Sequence, residues 1–179
     1  IAGFSEIAGR LPAVQLAEFL NRHFAMLAGC IEDEEGTVDK YIGDSVMAFW
    51  GAPTLQPDHA LRACRAALAI AKTLRADNDR RSEKGLRPVR VRIGIHSGIA
   101  VVGNVGAPGR INYTLIGDDV NIAQRLEQLA KDFDPGNGET VVLLSAETAK
   151  EIGEGFELET VGSHLLRGQS EPIEAFRLL

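Results

Sequence analysis

Apolar residues recur at helical spacing between Leu11 and Ile31, where Val14, Leu16, Leu20, Phe24, Leu27 and Ile31 fall mostly on one side and Gly36 follows as a stop. The spacing predicts an amphipathic helix. Thr37 to Ile42 and Ser45 to Trp50 are two short β-prone runs, and the Gly43-Asp44 dipeptide between them suits a tight hairpin turn. Pro57-Asp58 opens an alanine-rich helix expected to reach about Ala76, after which the charged stretch from Asp77 to Pro88 reads as a loop. Val89 to His96 alternates apolar residues with Arg90, Arg92, Gly94 and His96, which predicts a strand with one buried face. Ser97-Gly98 then reads as a turn into an apolar partner strand from Ile99 to Val105. Ile111 to Ile116 is a further strand, Gly117 leads into a helix from Val120 to Leu129, and Val141 to Leu144, Ala146 to Ile152, Phe156 to Val161 and Ile173 to Leu178 read as strand, helix, strand and strand. The first residues, Ile1-Ala2-Gly3-Phe4-Ser5, read as the end of a truncated first strand running into a loop.

The resulting order, α, β, β, α, β, β, β, α, β, α, β, β, points to an α+β ferredoxin-like sandwich. Its sheet should be mainly antiparallel and covered by helices, unlike a parallel Rossmann sheet. No internal repeat or low-complexity tract appears, and residues 1–179 read as one domain.

Charge narrows the function. With 25 acidic against 19 basic residues the net charge is −6, and no basic tract offers a nucleic-acid surface; an acidic balance suits a protein that holds cations. No apolar run approaches the roughly 18 residues that cross a bilayer, so a cytoplasmic domain without membrane contact of its own is expected. Cys30 and Cys64 each fall inside a helical apolar pattern, which favours buried free thiols over a disulfide or a metal site.

Four polar residues stand out from the apolar pattern. Asp44, on a hairpin turn, can reach a hard cation without burying a charge in the core, although Asp is also good turn chemistry by itself. Lys40 shares a strand face with Ile42, which reads as buried; an inward lysine needs a partner or a ligand, and the alternative is an edge lysine reaching outward. Asn121 and Arg125 lie four apart on one helix and can address the same anion or sugar, or simply line a solvated face. Asp118 and Asp119 are accounted for as favourable charges at the positive end of that helix.

Four blocks taken in order, Ile-x-Gly-Phe-Ser at 1 to 5, Val38-Asp39-Lys40-Tyr41-Ile42-Gly43-Asp44 with Met47-Ala48-Phe49, Gly94-Ile95-His96-Ser97-Gly98, and the run from Tyr113 to Arg125, resemble the catalytic domain of class III adenylyl cyclases, in the Lys/Thr subgroup found in bacterial and soluble members. The resemblance covers nearly the whole chain. It implies conversion of ATP to cyclic AMP and pyrophosphate, with two divalent cations, Mg or Mn, at a site shared between the subunits of a homodimer, and regulatory domains elsewhere in the parent protein.

Residue by residue, the resemblance implies that Asp44 and the backbone carbonyl of Ile1 are metal ligands, and that a first metal aspartate lies ahead of Ile1. It implies that Phe4 and Ser5 hold phosphates through backbone amides, and that Lys40 and Thr114 read the adenine. Asn121 matches the ribose-orienting residue, Arg125 the residue that stabilises transition-state charge, and Arg167 a basic contact to the triphosphate. The rival readings are a guanylyl cyclase, for which glutamate at the Lys40 position would be expected, and a catalytically inactive nucleotide-binding regulatory domain. A domain making cyclic dinucleotides is disfavoured because Gly43-Asp44 is followed by Ser45.

Overall fold

Five consecutive residues, Val141 to Ser145, are buried, and they form the strand around which the chain is built. Successive side chains of a strand point to opposite faces. In the computed structural model, which describes residues 1–134, 140–167 and 170–179, Val142 and Leu144 accordingly enter one core cluster and Val141 and Leu143 another. An unbroken apolar run is what a strand covered on both faces requires.

In chain order the elements are α1 (Phe4–Ala8), α2 (Ala13–Asp33), β1 (Thr37–Ile42), β2 (Ser45–Phe49), α3 (His59–Glu83), β3 (Arg92–Ile95), β4 (Val101–Ala107), β5 (Arg110–Ile116), α4 (Asp118–Leu129), β6 (Val141–Ser145), α5 (Ala146–Ile152), β7 (Leu158–His164) and β8 (Ile173–Leu178), with 3₁₀ turns at Ala130–Phe133 and Gly153–Gly155. The main sheet has the order β3-β6-β8-β7, parallel between β3 and β6 and antiparallel elsewhere. Two antiparallel ribbons, β1-β2 and β4-β5, stand apart from it.

Helices α3 and α5 cover one face of the sheet, bringing Ala60, Cys64, Ala67 and Ile152 against Val142, Leu144 and Leu178. Helix α4 and the 3₁₀ turn after it cover the other, with Ile122, Leu126 and Ala130 against Val141, Leu143 and Ala175. A third cluster joins α2 and α3 through Phe19, Leu27, Ile31, Ile70 and Leu74, and the β1-β2 residues Val38, Val46 and Ala48 pack against it. The α+β architecture, the mainly antiparallel pairing and the buried free thiols of Cys30 and Cys64 agree with the sequence expectations.

Several expectations are corrected. Helix α3 runs on to Glu83 instead of ending near Ala76; arginine and glutamate are good helix formers, Arg80 pairs with Asp77 one turn away, and Asn78 anchors the stretch by bonding both the N–H and the C=O of Val89. The expected hairpin of Val89–His96 with Ile99–Val105 does not form: β3 pairs with β6, and β4 pairs with β5. Alternation identifies strands with two unlike faces but does not identify their neighbours. The opening loop is the short helix α1, entered through Gly3 at φ 70°, while the Ala2 N–H bonds the Arg90 carbonyl at 2.8 Å. Ile42 is 58% exposed where burial was expected, because it ends a ribbon that stands apart from the main sheet among the described residues.

Candidate active site

Two residues across the Gly43-Asp44 turn, Ile42 and Ser45, are paired, so the hairpin has a two-residue loop. Gly43 takes φ 62°, a conformation that costs glycine little and that hairpin turns demand. The turn holds Asp44 partly exposed beside the start of the chain, where the Ile1 nitrogen lies 2.7 Å from Asp44 Oδ2. The two expected metal ligands are thus neighbours. A partly solvated carboxylate and a backbone carbonyl are hard oxygen donors of the kind Mg or Mn takes. Among the described residues no group of three or more His, Cys, Asp or Glu side chains converges on a metal position. The donors therefore fit part of a cation site.

On β1 the ladder shifts register between Val38 and Lys40, leaving Asp39 as an unpaired extra residue. Such a bulge redirects the side chains on either side of it. Here it turns both Asp39 and Lys40 toward Thr114 of β5: Lys40 Nζ donates to Thr114 Oγ1 at 3.0 Å, and the Thr114 hydroxyl donates to Asp39 Oδ2 at 2.8 Å. Lys40 also pairs with Asp39 Oδ2 at 3.3 Å. Residues 40 and 114, which were expected to act on one base, are in contact. Lys40 thus has a partner in Thr114 although its side chain stays 40% accessible and Ile42, whose burial was the ground for expecting an inward lysine, is exposed.

Asn121 and Arg125 lie one turn apart on α4. Asn121 is exposed, and Arg125 is partly buried with its Nη1 donating to Gln128 Oε1 at 3.0 Å and its Nε buried without a partner among the described residues. Neither bonds Ile1, Lys40, Asp44 or Thr114 among the described residues, so one chain holds the expected residues in two separate groups. Phe4 and Ser5 form the first turn of α1, whose leading N–H groups have no partner within a helix. Arg167 is exposed on the turn after β7. An open cleft of about 580 Å³ between His96–Ile99, Asp119 and Glu147 contains none of these residues.

Asp119 has a larger role than the helix dipole assigned to it. Its Oδ2 accepts the Ile99 N–H at 2.6 Å and its Oδ1 lies 3.2 Å from His96 Nε2, while His96 Nδ1 sits 2.7 Å from Ser145 Oγ. A carboxylate only accepts, so Nε2 carries the hydrogen and His96 ties β3, α4 and β6 together. Nothing in the sequence marks this link beyond the polar residues themselves, since 23 positions separate His96 from Asp119. Asp39 was likewise missed, because alternation places it on the face opposite Lys40 and only the bulge brings the two together.

On the β4-β5 ribbon the paired Val101 and Ile116 are exposed on the face that carries Thr114, and Ile111 and Tyr113 are exposed on the opposite face; Ile99, just ahead of β4, is 90% exposed, and Tyr41 and Ile42 of β1 are exposed too. No described helix is long and apolar enough to cross a membrane.

Residues 1–179 match the family model described as the adenylate and guanylate cyclase catalytic domain. Adenylate cyclase 1 of Rhizobium meliloti (strain 1021) is 36% identical over 171 residues, covering 96% of this chain and 25% of that protein. Adenylate cyclase of Anabaena cylindrica is 31% identical over 185 residues, covering 99% of this chain and 35% of that protein. The chain thus spans about a quarter to a third of the length of these relatives. Among solved structures, the adenylyl cyclase CyaB from P. aeruginosa has a TM-score of 0.89 at 30% identity over 99% of this chain and 89% of that one. The guanylyl cyclase Cya2 has a TM-score of 0.85 at 29% identity over 99% and 87%.

Proposed function

Because the chain belongs to the adenylate and guanylate cyclase catalytic domain family, we propose that it converts ATP to cyclic AMP and pyrophosphate at a site shared between two copies of itself. The contact between Lys40 and Thr114 carries this reading, since it joins a donor and a hydroxyl from two ribbons into one base-reading pair. Guanylyl cyclase activity is the second reading, favoured by the likeness to Cya2. The lysine at position 40 argues for ATP.

The proposed chemistry is in-line attack of the ribose 3′-oxygen on the α-phosphate. Two divalent cations, Mg or Mn, held in part by Asp44 and the Ile1 carbonyl, supply charge neutralisation and a lowered pKa for the attacking hydroxyl. Lys40 and Thr114 select the base, the first-turn amides of Phe4 and Ser5 hold phosphate oxygens, and Arg167 adds a positive charge on the triphosphate. Asn121 orients the ribose. Arg125 meets the charge that grows on the phosphate, where losing such a donor typically costs about 10²-fold or more. The separation of these residues into two groups within one chain, and the exposed apolar ribbon beside Thr114, support a second copy supplying Asn121 and Arg125.

The test is to incubate the full-length protein with ATP or GTP and Mg²⁺ or Mn²⁺ and to identify the cyclic product. Cyclic AMP from ATP is expected. Cyclic GMP would overturn the base assignment, and no product from a proven dimer would leave a nucleotide-binding regulatory domain.

A further inference from the structure

Asp39 is the least exposed charged group beside the base-reading pair, with its side chain 1% accessible, and one of its oxygens, Oδ1, is buried without a hydrogen-bond partner among the described residues. A buried carboxylate with an idle oxygen is costly and calls for a reason. The neighbour is Thr114, itself only 6% exposed. A threonine hydroxyl has one hydrogen to give and two lone pairs to receive with, and by itself can turn to do either. Here its partners remove the choice. The Lys40 ammonium can only donate, and it occupies one lone pair at 3.0 Å; the Asp39 carboxylate can only accept, and it takes the single hydrogen at 2.8 Å. What Thr114 has left for a ligand is one lone pair.

We propose that Asp39 is a specificity-determining residue, which fixes the Thr114 hydroxyl as a hydrogen-bond acceptor so that the pair admits a 6-amino purine and rejects a 6-oxo purine. The inference rests on the reading of Lys40 and Thr114 as the base-contacting pair. Adenine presents an amino donor at position 6 and guanine an oxygen acceptor. A fixed acceptor bonds the first and repels the second, whereas a free hydroxyl would turn its hydrogen toward the guanine oxygen and lose the distinction. The bulge at Asp39 is the structural device: without the extra residue, alternation would carry the carboxylate to the far face of β1 from Lys40. Asp39 touches no substrate atom in this scheme. It acts through Thr114.

The test measures kcat/KM for ATP and GTP in the full-length protein and in Asp39→Ala, Asp39→Asn, Thr114→Val and Asp39→Ala/Thr114→Val. Asp39→Ala should lower the ATP-to-GTP ratio about tenfold or more. Asp39→Asn keeps a neutral carbonyl that can still take the Thr114 hydrogen and should retain most of the ratio. Once Thr114 is valine, Asp39→Ala should leave the ratio where Thr114→Val has already set it. An unchanged ratio in folded Asp39→Ala, or an equal fall with and without the Thr114 hydroxyl, would overturn the proposal. Should Asp39→Ala fail to fold, the unaltered protein decides: the triphosphate of 6-methoxypurine riboside, which keeps the ring acceptor but carries oxygen at position 6, should be used about tenfold less efficiently than N6-methyl-ATP of similar size. Equal use overturns it. A preference of the unaltered protein for GTP, or no cyclic product at all, is a failure of the proposed function itself and shows before any variant is compared.

Discussion

A methyl group added to Gly94 of β3 would lie 2.1 Å from the carbonyl oxygen of Ala123 on α4, and 2.4 Å from the Glu127 nitrogen. Glycine at this position lets the helix backbone rest directly on the strand, which sets the height of Asn121 and Arg125 over the sheet. Gly94→Ala must push α4 outward. It is expected to cost about 3 kcal/mol in urea unfolding and to lower cyclase activity more than a core substitution of equal cost on the α3 side, such as Ile70→Val trimmed further to alanine.

Asp119 fixes the start of the same helix through the Ile99 N–H and His96. Asp119→Ala leaves that N–H and the His96 ring without their acceptor and should cost about 1–3 kcal/mol. Asp118→Ala, at an exposed position whose only evident role is its charge in the first turn, should cost about 0.5 kcal/mol. Denaturant titration of the two variants distinguishes an anchoring carboxylate from a helix-dipole charge.

His23 is buried between α2 and α3, beside Phe19, Met26, Asp77 and Arg81, and burial pulls its pKa from the usual 6.5 down to about 4. The folded state therefore favours the neutral ring, while the unfolded chain takes up the proton first as pH falls. The stabilisation is fully present above about pH 6.5 and is lost between there and about pH 4, a change on the order of 3 kcal/mol. His23→Met should flatten this part of the stability profile. An unchanged slope would mean that carboxylates alone account for the acid sensitivity.

The Cys64 thiol, fully enclosed in the cluster under α3, is pushed up to about 12 by burial. Thiolate is the reactive form. Iodoacetamide at pH 8 should leave Cys64 unmodified in the folded protein and label it promptly in denaturant, as peptide mass analysis would read.

Much of this was legible in the sequence because the informative signals were local. The bounds of α5 and β8 fall where periodicity put them, and the Gly43-Asp44 hairpin follows from turn chemistry over four residues. What failed was long-range or exceptional. The partner of β3 lies about 50 positions away on β6, and no pattern within 89–105 encodes that. Ile42 reads as buried because apolar alternation records that a face is covered without recording by what, and among the described residues it is left 58% exposed. Asp39 and Asp119 each looked like ordinary strand and helix-start polarity; a bulge and a contact across 20 residues give them their roles. The candidate residues Asp44, Lys40, Asn121 and Arg125 stand out from the apolar pattern, their expected roles and that of Thr114 come from the family resemblance, and geometry supplies the contact of Lys40 with Thr114.

The shared site is tested most directly by mixing two inactive forms of the full-length protein. Asp44→Asn and Arg125→Ala should each reduce cyclic AMP formation to about 1% or less, because each removes one group from every site. Half of randomly exchanged dimers are mixed, and each mixed dimer holds one doubly damaged site and one intact site, so recovery of about a quarter of the original activity is expected. Absence of recovery, with subunit exchange demonstrated by differently tagged copies, would contradict a site assembled from two chains.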